Sequence, residues 1–397
     1  MRKHPGPGRP ADQPASSRVT LVAHEIGDWG GMERQLAELV RGLIGNGYNV
    51  TLIARRCGVT PDARLRWIKV HGPTRPFLIA YLTFLVLGTL KVWRYRQGLV
   101  HTTGAIVLNR ADLSTIHFCH KGFRRNASIL RNRSSLLHRI NSRLSAALSV
   151  AAETVIYQPR FTGHLVAVSR GLAAEVIGCF PNLRTTISVI PLGVNECPTT
   201  TASGASRRIR EGLRIPAASC VAVFVGGDWE RKGLRTAIRS VSAVKQWHLI
   251  VVGSGDPRSF RTLAKSVKAE ALVHFVGWQP SPYQYLLASD VFMLPTAYET
   301  FSLVTYEAAA AGLPLLVSKV SGVEDLLMPG HNGWFISPGE EGVRATAERL
   351  EVLASNVPLR RAMGLNSRHA VAEFTWARMI DAYRVVYQRV QAAEGSS

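Results

Sequence analysis

The sequence is poor in cysteine, and its few cysteines lie far apart. Five occur in 397 residues, and their spacing forms neither a disulfide framework nor a zinc-binding pattern. We therefore predict a protein of the reducing cytoplasm with no metal site. The five are Cys57, Cys119, Cys179, Cys197 and Cys220.

The amino terminus lacks the apolar core of a secretion signal. Residues 1–17, MRKHPGPGRPADQPASS, are rich in Pro, Gly and Ser and show no apolar period, which is typical of disordered segments. The first apolar run, VTLVA, has only the length of a strand, so the basic start does not open a signal peptide. We predict a disordered leader over residues 1–17.

Long apolar runs are also lacking. The run FLIAYLTFLVLGTL, residues 77–90, has 14 residues without charge, whereas a helix that crosses a membrane needs about 20. We therefore predict no transmembrane anchor. Because Lys91 and a cluster of Trp, Arg and Tyr follow, two interpretations remain open: a helix packed inside its domain, or a helix that lies in the lipid interface.

Acidic residues are scarce. The chain has 27 of them against 48 Lys and Arg, a net charge of +21, and most of the excess lies in residues 1–190, with 26 basic and 9 acidic side chains. Residues 121–143 contain no acid and suit an anionic membrane surface, a solvated face or another anion. We expect no nucleic acid partner, because no helix-turn-helix, RNA-binding or zinc pattern occurs. The basic side chains of this segment are Lys121, Arg124, Arg125, Arg131, Arg133, Arg139 and Arg143.

Length and pattern predict two α/β domains, since one domain usually has ~100–200 residues. Short apolar strands alternate with helical patterns in both halves, as in VTLVAHEI before MERQLAELVRGLIGNG and CVAVFVGG before LRTAIRSVSAVK. This alternation is typical of parallel sheets covered by helices. A polar stretch, TTTASGASRRIREG, places a linker near residues 195–210. The final helical pattern, TWARMIDAYRVVYQRVQ, is long enough to brace the other domain.

Glycine pairs follow the first strand of each half. Gly30 and Gly31 open a helix, where backbone N–H groups can approach an anion closely. In FVGGDWERKG, Arg231 and Lys232 lie just past a strand end, at the rim where parallel sheets bind ligands, and their charges suit a pyrophosphate. An ordinary turn and a solvated basic turn are the alternatives. VVGSGDP lacks the third glycine of a dinucleotide site, so we do not expect NAD.

Two histidines, His117 and His120, follow the strand pattern LSTIHF. They lack further ligands at zinc spacing. A histidine that forms hydrogen bonds in an active site and a structural histidine are the two interpretations.

The stretch YETFSLVTYEAAAAGLP places Glu299 and Glu307 eight positions apart. A strand ends before it, and SLVTYEAAAAG predicts a helix with Ser302 as N-cap. Glu299 then lies in the rim loop and Glu307 lies more than one turn into the helix. The N–H groups from Phe301 to Leu303 form a phosphate site between the two acids. This layout suits a nucleoside diphosphate sugar, which has hydroxyl groups on both sides of its diphosphate.

These residues resemble the E-x7-E motif of the retaining glycosyltransferases of family four, which have the GT-B fold. Further stretches agree in order, among them GGMERQ, LVAVSRGL, GGDWERKG, VGSGD and HNGWFISP, and the resemblance extends over residues 18–390. It implies two Rossmann-like parallel-sheet domains that face each other across a cleft. The implied parts are an acceptor-binding domain (18–195), a nucleotide-sugar-binding domain (205–375) and a helix that crosses back to the first domain (376–392).

The resemblance also implies how the donor is bound. Glu307 would bind the ribose, Arg231 and Lys232 the diphosphate, and Glu299 the hydroxyls of the donor sugar. The backbone from Phe301 through Ser302 to Leu303 would assist.

The first domain contributes residues as well. Gly30 and Gly31 would shape the loop beside the phosphates and the acceptor. His117 resembles the family's active-site histidine near the donor sugar, and His120 is the alternative.

The predicted function is therefore a retaining, metal-independent glycosyltransferase. It needs no cofactor besides its donor, a nucleotide sugar such as a UDP-sugar. The acceptor is expected to be a cell-envelope glycan or a lipid-linked molecule, with the enzyme peripheral on the cytoplasmic face of an anionic membrane. A soluble acceptor and a non-catalytic, anion-binding protein of the same fold are the alternatives.

Overall fold

The computed structural model describes residues 17–126, 136–197 and 202–394 of the protein. These residues form two α/β domains, each built on a parallel sheet, which confirms the predicted fold class. Nearly all of the predicted leader lies outside the described residues, as do the side chains of the basic residues from Arg125 to Arg143.

The first domain contains a seven-stranded parallel sheet with helices on its faces. Its elements are β1 (Arg18–Val22), β2 (Glu25–Ile26), α1 (Gly31–Gly45), β3 (Asn49–Ala54), β4 (Arg56–Cys57), β5 (Leu65–Lys69), α2 (Phe77–Tyr95), β6 (Leu99–Thr103), β7 (Ala111–Ile116), α3 (His120–Asn126), α4 (Leu136–Ile156), β8 (Thr162–Ala167), α5 (Arg170–Cys179) and β9 (Thr186–Val189). The strand order is β5–β3–β1–β6–β7–β8–β9. Strands β2 and β4 pair separately.

The second domain contains a six-stranded parallel sheet. Its elements are α6 (Ala202–Gly212), β10 (Cys220–Val225), α7 (Leu234–Ser242), β11 (Trp247–Val252), α8 (Arg258–Ser266), β12 (Val273–Gly277), α9 (Tyr283–Leu287), β13 (Val291–Leu294), α10 (Leu303–Ala310), β14 (Leu315–Ser318), β15 (Gly333–Ile336), α11 (Glu340–Ser355), α12 (Val357–Val371) and α13 (Trp376–Glu394). The strand order is β12–β11–β10–β13–β14–β15.

The central strands are apolar on both faces, because helices cover both sides of each sheet. Every residue of β10, β11 and β13 is buried, and β1 buries four of its five residues. Aliphatic and β-branched side chains suit such strands, since they pack well on a pleated surface that has no solvated face.

The carboxyl ends of the two sheets face each other. In a parallel sheet all strands end at the same edge, and the loops there bind ligands. The loop after β7 touches the loop after β13, because Thr300 Oγ1 donates a hydrogen bond of 2.7 Å to the carbonyl of His117. The edge residues predicted from sequence in the two halves therefore meet in one cleft.

The second half of the predicted linker, near residues 195–210, contains the start of a helix. Helix α6 begins at Ala202 and packs on the second domain. Ser206 Oγ donates to the carbonyl of Leu287, and Arg210 forms an ion pair of 2.7 Å with Asp290. The polar composition of this stretch reflects an amphipathic surface helix that is anchored through Arg210.

The last helix, α13, returns to the first domain as predicted. Met379, Tyr383 and Val386 are buried in the core of that domain. Gly42 of α1 permits the close approach, since a β-carbon at this position would lie 2.1 Å from Ile380 Cδ1. The C-terminal helix therefore shares its core with the helix that opens at Gly31.

Helix α2 is longer than the predicted apolar run and ends at Tyr95. Tyr81, Phe84 and Val92 are buried against the sheet, so one face packs inside the domain. Among the described residues it is the one helix whose length and composition would also allow a membrane crossing, a weak criterion that buried helices of soluble proteins also meet. Its other face exposes large apolar side chains, namely Phe77, Ile79, Leu82, Val86, Leu90 and Trp93.

Candidate active site

Two helix amino termini face each other across the cleft. Helix α1 begins at Gly31 and helix α10 at Leu303. A β-carbon placed on Gly31 would lie 3.8 Å from Leu303 Cδ2, so the two domains nearly touch here. The first N–H groups of a helix have no acceptor within the helix and carry partial positive charge. The cleft is therefore favourable for an anion at this point.

Ser302 holds an unusual backbone conformation at the start of α10. Its φ of 63° and ψ of 59° lie in the left-handed region, which costs a residue other than glycine about 1–3 kcal/mol. We predicted a side-chain N-cap, but Ser302 Oγ bonds Thr305 Oγ1 at 2.8 Å and caps no backbone N–H. The reason is local geometry, since the left-handed turn directs the hydroxyl to Thr305. Phe301 is stacked on Tyr306, with 4.3 Å between ring centroids.

Glu307 is buried and paired with a residue of the first domain. Only 4% of its side chain is exposed, and Arg34 Nη1 donates to its Oε1 at 2.6 Å. Burial raises the pKa of the Glu307 carboxyl, and the Arg34 guanidinium opposes that rise. Arg34 thus neutralises this carboxylate from the first domain.

Glu299 is held by the two basic residues predicted beside the strand end. Lys232 Nζ donates to Glu299 Oε1 at 2.8 Å and Arg231 Nη1 at 3.2 Å. Burial raises the pKa of the Glu299 carboxyl, but the two cations lower it more, so the net shift is downward. Arg231 also contacts Asp228 at 2.9 Å and the carbonyl of Tyr298. Glu299 is therefore an ionised acid beside two cations.

His117 lies in the first domain at the floor of the cleft. Its Nε2 is 2.8 Å from Gln35 Oε1, and Gln35 in turn donates to Tyr383 Oη at 3.2 Å. Burial lowers the pKa of His117 to about 4. The imidazole is therefore neutral at pH 7 and donates a hydrogen bond to Gln35 through Nε2.

His120 has a different hydrogen-bond partner in the first domain. Its Nδ1 lies 2.7 Å from Glu153 Oε1, and its backbone N–H donates to the same oxygen at 2.9 Å. His117 and His120 therefore have separate partners. Both nevertheless line one cavity of the first domain.

Sequence reasoning missed several partners in the site. Arg34 and Gln35 fall within the quoted GGMERQ stretch, one turn after the glycine pair, and helical spacing from Gly31 directs that turn toward the cleft. The partner of His120, Glu153, belongs to a helix far along the chain, and no local pattern relates the two. Among the described residues no group of three or more His, Cys, Asp or Glu side chains is arranged to hold a metal. The expectation of a metal-independent enzyme stays a prediction.

The low pKa of His117 predicts a pH-dependent stability. In the unfolded chain the pKa of His117 is about 6.5, whereas burial lowers it to about 4 in the folded protein. Between these pH values the unfolded state binds more protons than the folded state. The free energy of unfolding is therefore highest above pH 6.5 and falls as the pH drops toward 4. Urea unfolding should show that the wild type loses about 2–3 kcal/mol more between pH 7 and 4.5 than His117→Gln does. Substitution of an exposed histidine, His331→Gln, should leave the wild-type dependence intact. If the free energy of unfolding changed with pH by the same amount in the wild type and in His117→Gln, the prediction would be contradicted.

Similar proteins of known activity include bacterial glycosyltransferases. The chain is 29% identical to the lipopolysaccharide core biosynthesis glycosyltransferase LpsE of Rhizobium meliloti, over 44% of this chain and 51% of that protein. It is 25% identical to the D-inositol 3-phosphate glycosyltransferase of Xylanimonas cellulosilytica, over 96% of this chain and 95% of that protein. The LpsE match thus spans about half of that relative's length.

Solved structures with the same fold cover nearly the whole chain. The crystal structure of WaaG, a glycosyltransferase involved in lipopolysaccharide biosynthesis, has a TM-score of 0.76 at 18% identity and covers 92% of this chain and 98% of WaaG. The structure of Anabaena HepE in complex with UDP and glucose has a TM-score of 0.67 at 16% identity and covers 96% of this chain and 99% of HepE.

Two family models match the chain, one in each domain. Residues 29–196 match the model described as Glycosyltransferase Family 4, and residues 219–356 match Glycosyl transferases group 1. Together the matches include α1 with its glycine pair, both histidines, the Arg-Lys turn and both carboxylates. The protein belongs to the family-four glycosyltransferases and has their GT-B fold.

Proposed function

We propose that the protein moves a sugar from a nucleoside diphosphate sugar to a cell-envelope glycan or lipid-linked acceptor, with retention of anomeric configuration. The observation that supports this most is the arrangement around α10: Glu307 on one side of the helix start, Glu299 on the other, and Arg231 with Lys232 alongside. The HepE structure contains UDP and glucose in the same fold, and the names of LpsE and WaaG indicate envelope glycans.

Charge and hydrogen bonding indicate which residues contact each part of the donor. The diphosphate binds the N–H groups at the start of α10, where the helix dipole favours an anion. Arg231 and Lys232 neutralise it from the side, the task that a divalent cation has in many other transferases. Glu307 accepts hydrogen bonds from the ribose, and Glu299 from the hydroxyls of the sugar.

The transfer step is a same-face displacement at the anomeric carbon. The bond from that carbon to the diphosphate oxygen breaks while the acceptor oxygen bonds the same face, and a phosphate oxygen takes the proton of the acceptor. Arg231 and Lys232 stabilise the charge that develops on the leaving group. Neutral His117 supplies a hydrogen-bonding group near the donor sugar.

Proton NMR of the product tests whether configuration is retained. The coupling constant of the anomeric proton in the transferred sugar should indicate the same anomer as in the donor, and the opposite anomer would contradict this step.

A substitution at Glu307 tests the donor site. Glu307→Gln should weaken UDP binding by about 30- to 150-fold, because hydrogen bonds to a charged group stabilise a complex by about 2–3 kcal/mol. Calorimetric titration with UDP measures the change. Glu348→Gln, an exposed acid on α11, is the matched control and should bind UDP as the wild type does. Equal affinity for UDP in Glu307→Gln would refute the assignment of Glu307.

Membrane association is the second part of the proposal, and helix α2 supports it. Its outward side chains form a continuous apolar stripe, in which Leu82, Val86, Leu90 and Trp93 are 42%, 55%, 56% and 75% exposed. Such an apolar stripe, next to a basic helix end, is typical of an amphipathic helix that lies in the interface between lipid and water.

The carboxyl end of α2 carries the complementary charge. The cations of Arg66, Lys91 and Arg94 lie 5.4–5.6 Å from the ring centroid of Tyr95. A Trp, Tyr and basic cluster is typical of the level of lipid head groups, and each basic residue near an anionic leaflet is worth about 1 kcal/mol. The proposed partner of this surface is an anionic bilayer.

Vesicle binding tests the membrane part. The double variant Val86→Glu, Leu90→Glu should reduce partition onto phosphatidylglycerol-containing vesicles at least about tenfold, because two buried apolar side chains contribute more than 1.4 kcal/mol. Co-sedimentation measures the partition. Leu365→Glu, an equally exposed leucine in the second domain, should bind as the wild type does. If wild-type protein does not bind these vesicles at low salt, a soluble acceptor becomes the better proposal.

A further inference from the structure

A cavity in the first domain lies beside the cleft, and its lining includes neither Arg231 nor Lys232, the proposed contacts of the diphosphate. It has a volume of about 180 Å³, smaller than the ~300–1,000 Å³ of sites for drug-sized ligands. His117 lies in its wall, so the cavity adjoins the floor of the cleft. Most of the remaining wall is apolar and comes from α1, α2 and the loops after β6 and β7. The apolar lining residues are Met32, Phe77, Tyr81, Ala105, Ile106 and Phe118.

Two buried polar side chains of α4, Glu153 and Ser149, line this cavity. Glu153 is 2% exposed and uses Oε1 for His120, while its Oε2 has no hydrogen-bond partner among the described residues. Ser149, one turn earlier on α4, is 3% exposed, and its Oγ is likewise unpaired there. A buried polar atom without a partner costs about 1–3 kcal/mol, and more if it is charged. Buried polar groups in proteins are nearly always paired, so a polar molecule bound in this cavity would stabilise these atoms.

A third buried polar atom in the cavity wall belongs to His24. His24 Nδ1 has no partner among the described residues either, and His24 belongs to the cavity wall. Burial, followed by the charge of Arg55, lowers the pKa of His24 to about 4, so its ring is neutral at pH 7. The cavity therefore presents one carboxylate oxygen, one hydroxyl and one neutral imidazole nitrogen.

We propose that this cavity binds one neutral sugar ring of the acceptor and that Glu153 Oε2 accepts a hydrogen bond from a hydroxyl of that ring. The inference rests on the proposed function, since it assigns the acceptor side of the same reaction. An apolar wall suits the C–H face of a pyranose, and the volume admits a single ring. A phosphorylated ring is disfavoured, because its charge would meet a buried carboxylate of the same sign.

The position of the cavity indicates that its ligand is part of the acceptor and not of the donor. Its lining residues all lie in the first domain, whereas the predicted diphosphate contacts Arg231 and Lys232 lie in the second. Phe77 and Tyr81 are part of α2, and Phe77 is also 48% exposed at the start of the apolar stripe. A sugar attached to a lipid can thus enter the cavity while its tail remains along α2.

Sugar binding in the absence of a donor tests the inference. Saturation-transfer NMR with methyl glucoside, methyl galactoside and methyl mannoside should detect binding of at least one of them to the wild-type protein. Glu153→Gln should weaken that binding at least fivefold, because a neutral amide replaces a charged acceptor. Ser149→Leu should abolish it by filling the cavity, and this variant does not depend on the Glu153–His120 contact. Glu38→Gln on α1 is the matched acidic control and should bind the glycoside as the wild type does.

UDP titration of the same proteins separates the two proposals. Glu153→Gln and Ser149→Leu should bind UDP with wild-type affinity. If the wild type binds a methyl glycoside but not UDP, the proposed donor site fails and the cavity stands. The cavity proposal is overturned if no methyl glycoside binds, if binding survives in both cavity variants, or if glucose 6-phosphate binds more tightly than every neutral glycoside.

Discussion

The ion pair between Arg34 and Glu307 fixes the geometry on which the site depends. Arg34 belongs to the first turn of α1 and Glu307 to α10, so the contact joins the two domains. A buried carboxylate without a cation would cost several kcal/mol, and the pair therefore holds the two helix starts on opposite sides of one cleft. Under the proposed function a ribose meets a carboxylate that is already neutralised, which favours hydroxyl donors over a second cation.

A chain of hydrogen bonds ties this cleft to the C-terminal helix. Tyr383 of α13 contacts Gln35, and Gln35 contacts His117. Gln35 follows Arg34 directly, so one turn of α1 orients both the partner of Glu307 and the partner of His117. The crossing helix thus has a role beyond covering apolar surface, because it fixes the side chain that orients the imidazole.

Charge is divided between the domains according to what each one contacts. In the second domain the cations at the cleft, Arg231 and Lys232, are paired with Glu299. In the first domain Arg66, Lys91 and Arg94 surround Tyr95 at the carboxyl end of α2, while the cavity beside His117 contains the buried acid Glu153. Under the proposed function and the further inference, the second domain presents cations to the diphosphate of the donor. The first domain presents basic residues to an anionic surface and a carboxylate to a neutral sugar ring.

The sequence alone determined the strand and helix alternation, the place of the glycine turns at strand ends, and the spacing that sets Glu299 and Glu307 about the start of α10. These features are local: hydrophobic periodicity and turn residues act within a few positions of the chain. Local pattern was wrong at Ser302, whose hydroxyl bonds Thr305, and it did not show that Arg210 anchors helix α6 through Asp290. Only the tertiary structure decided that Arg34 pairs with Glu307 across 273 positions and that Glu153 meets His120, because contacts between distant segments depend on how two sheets and their helices pack, and no periodicity along the chain records that arrangement.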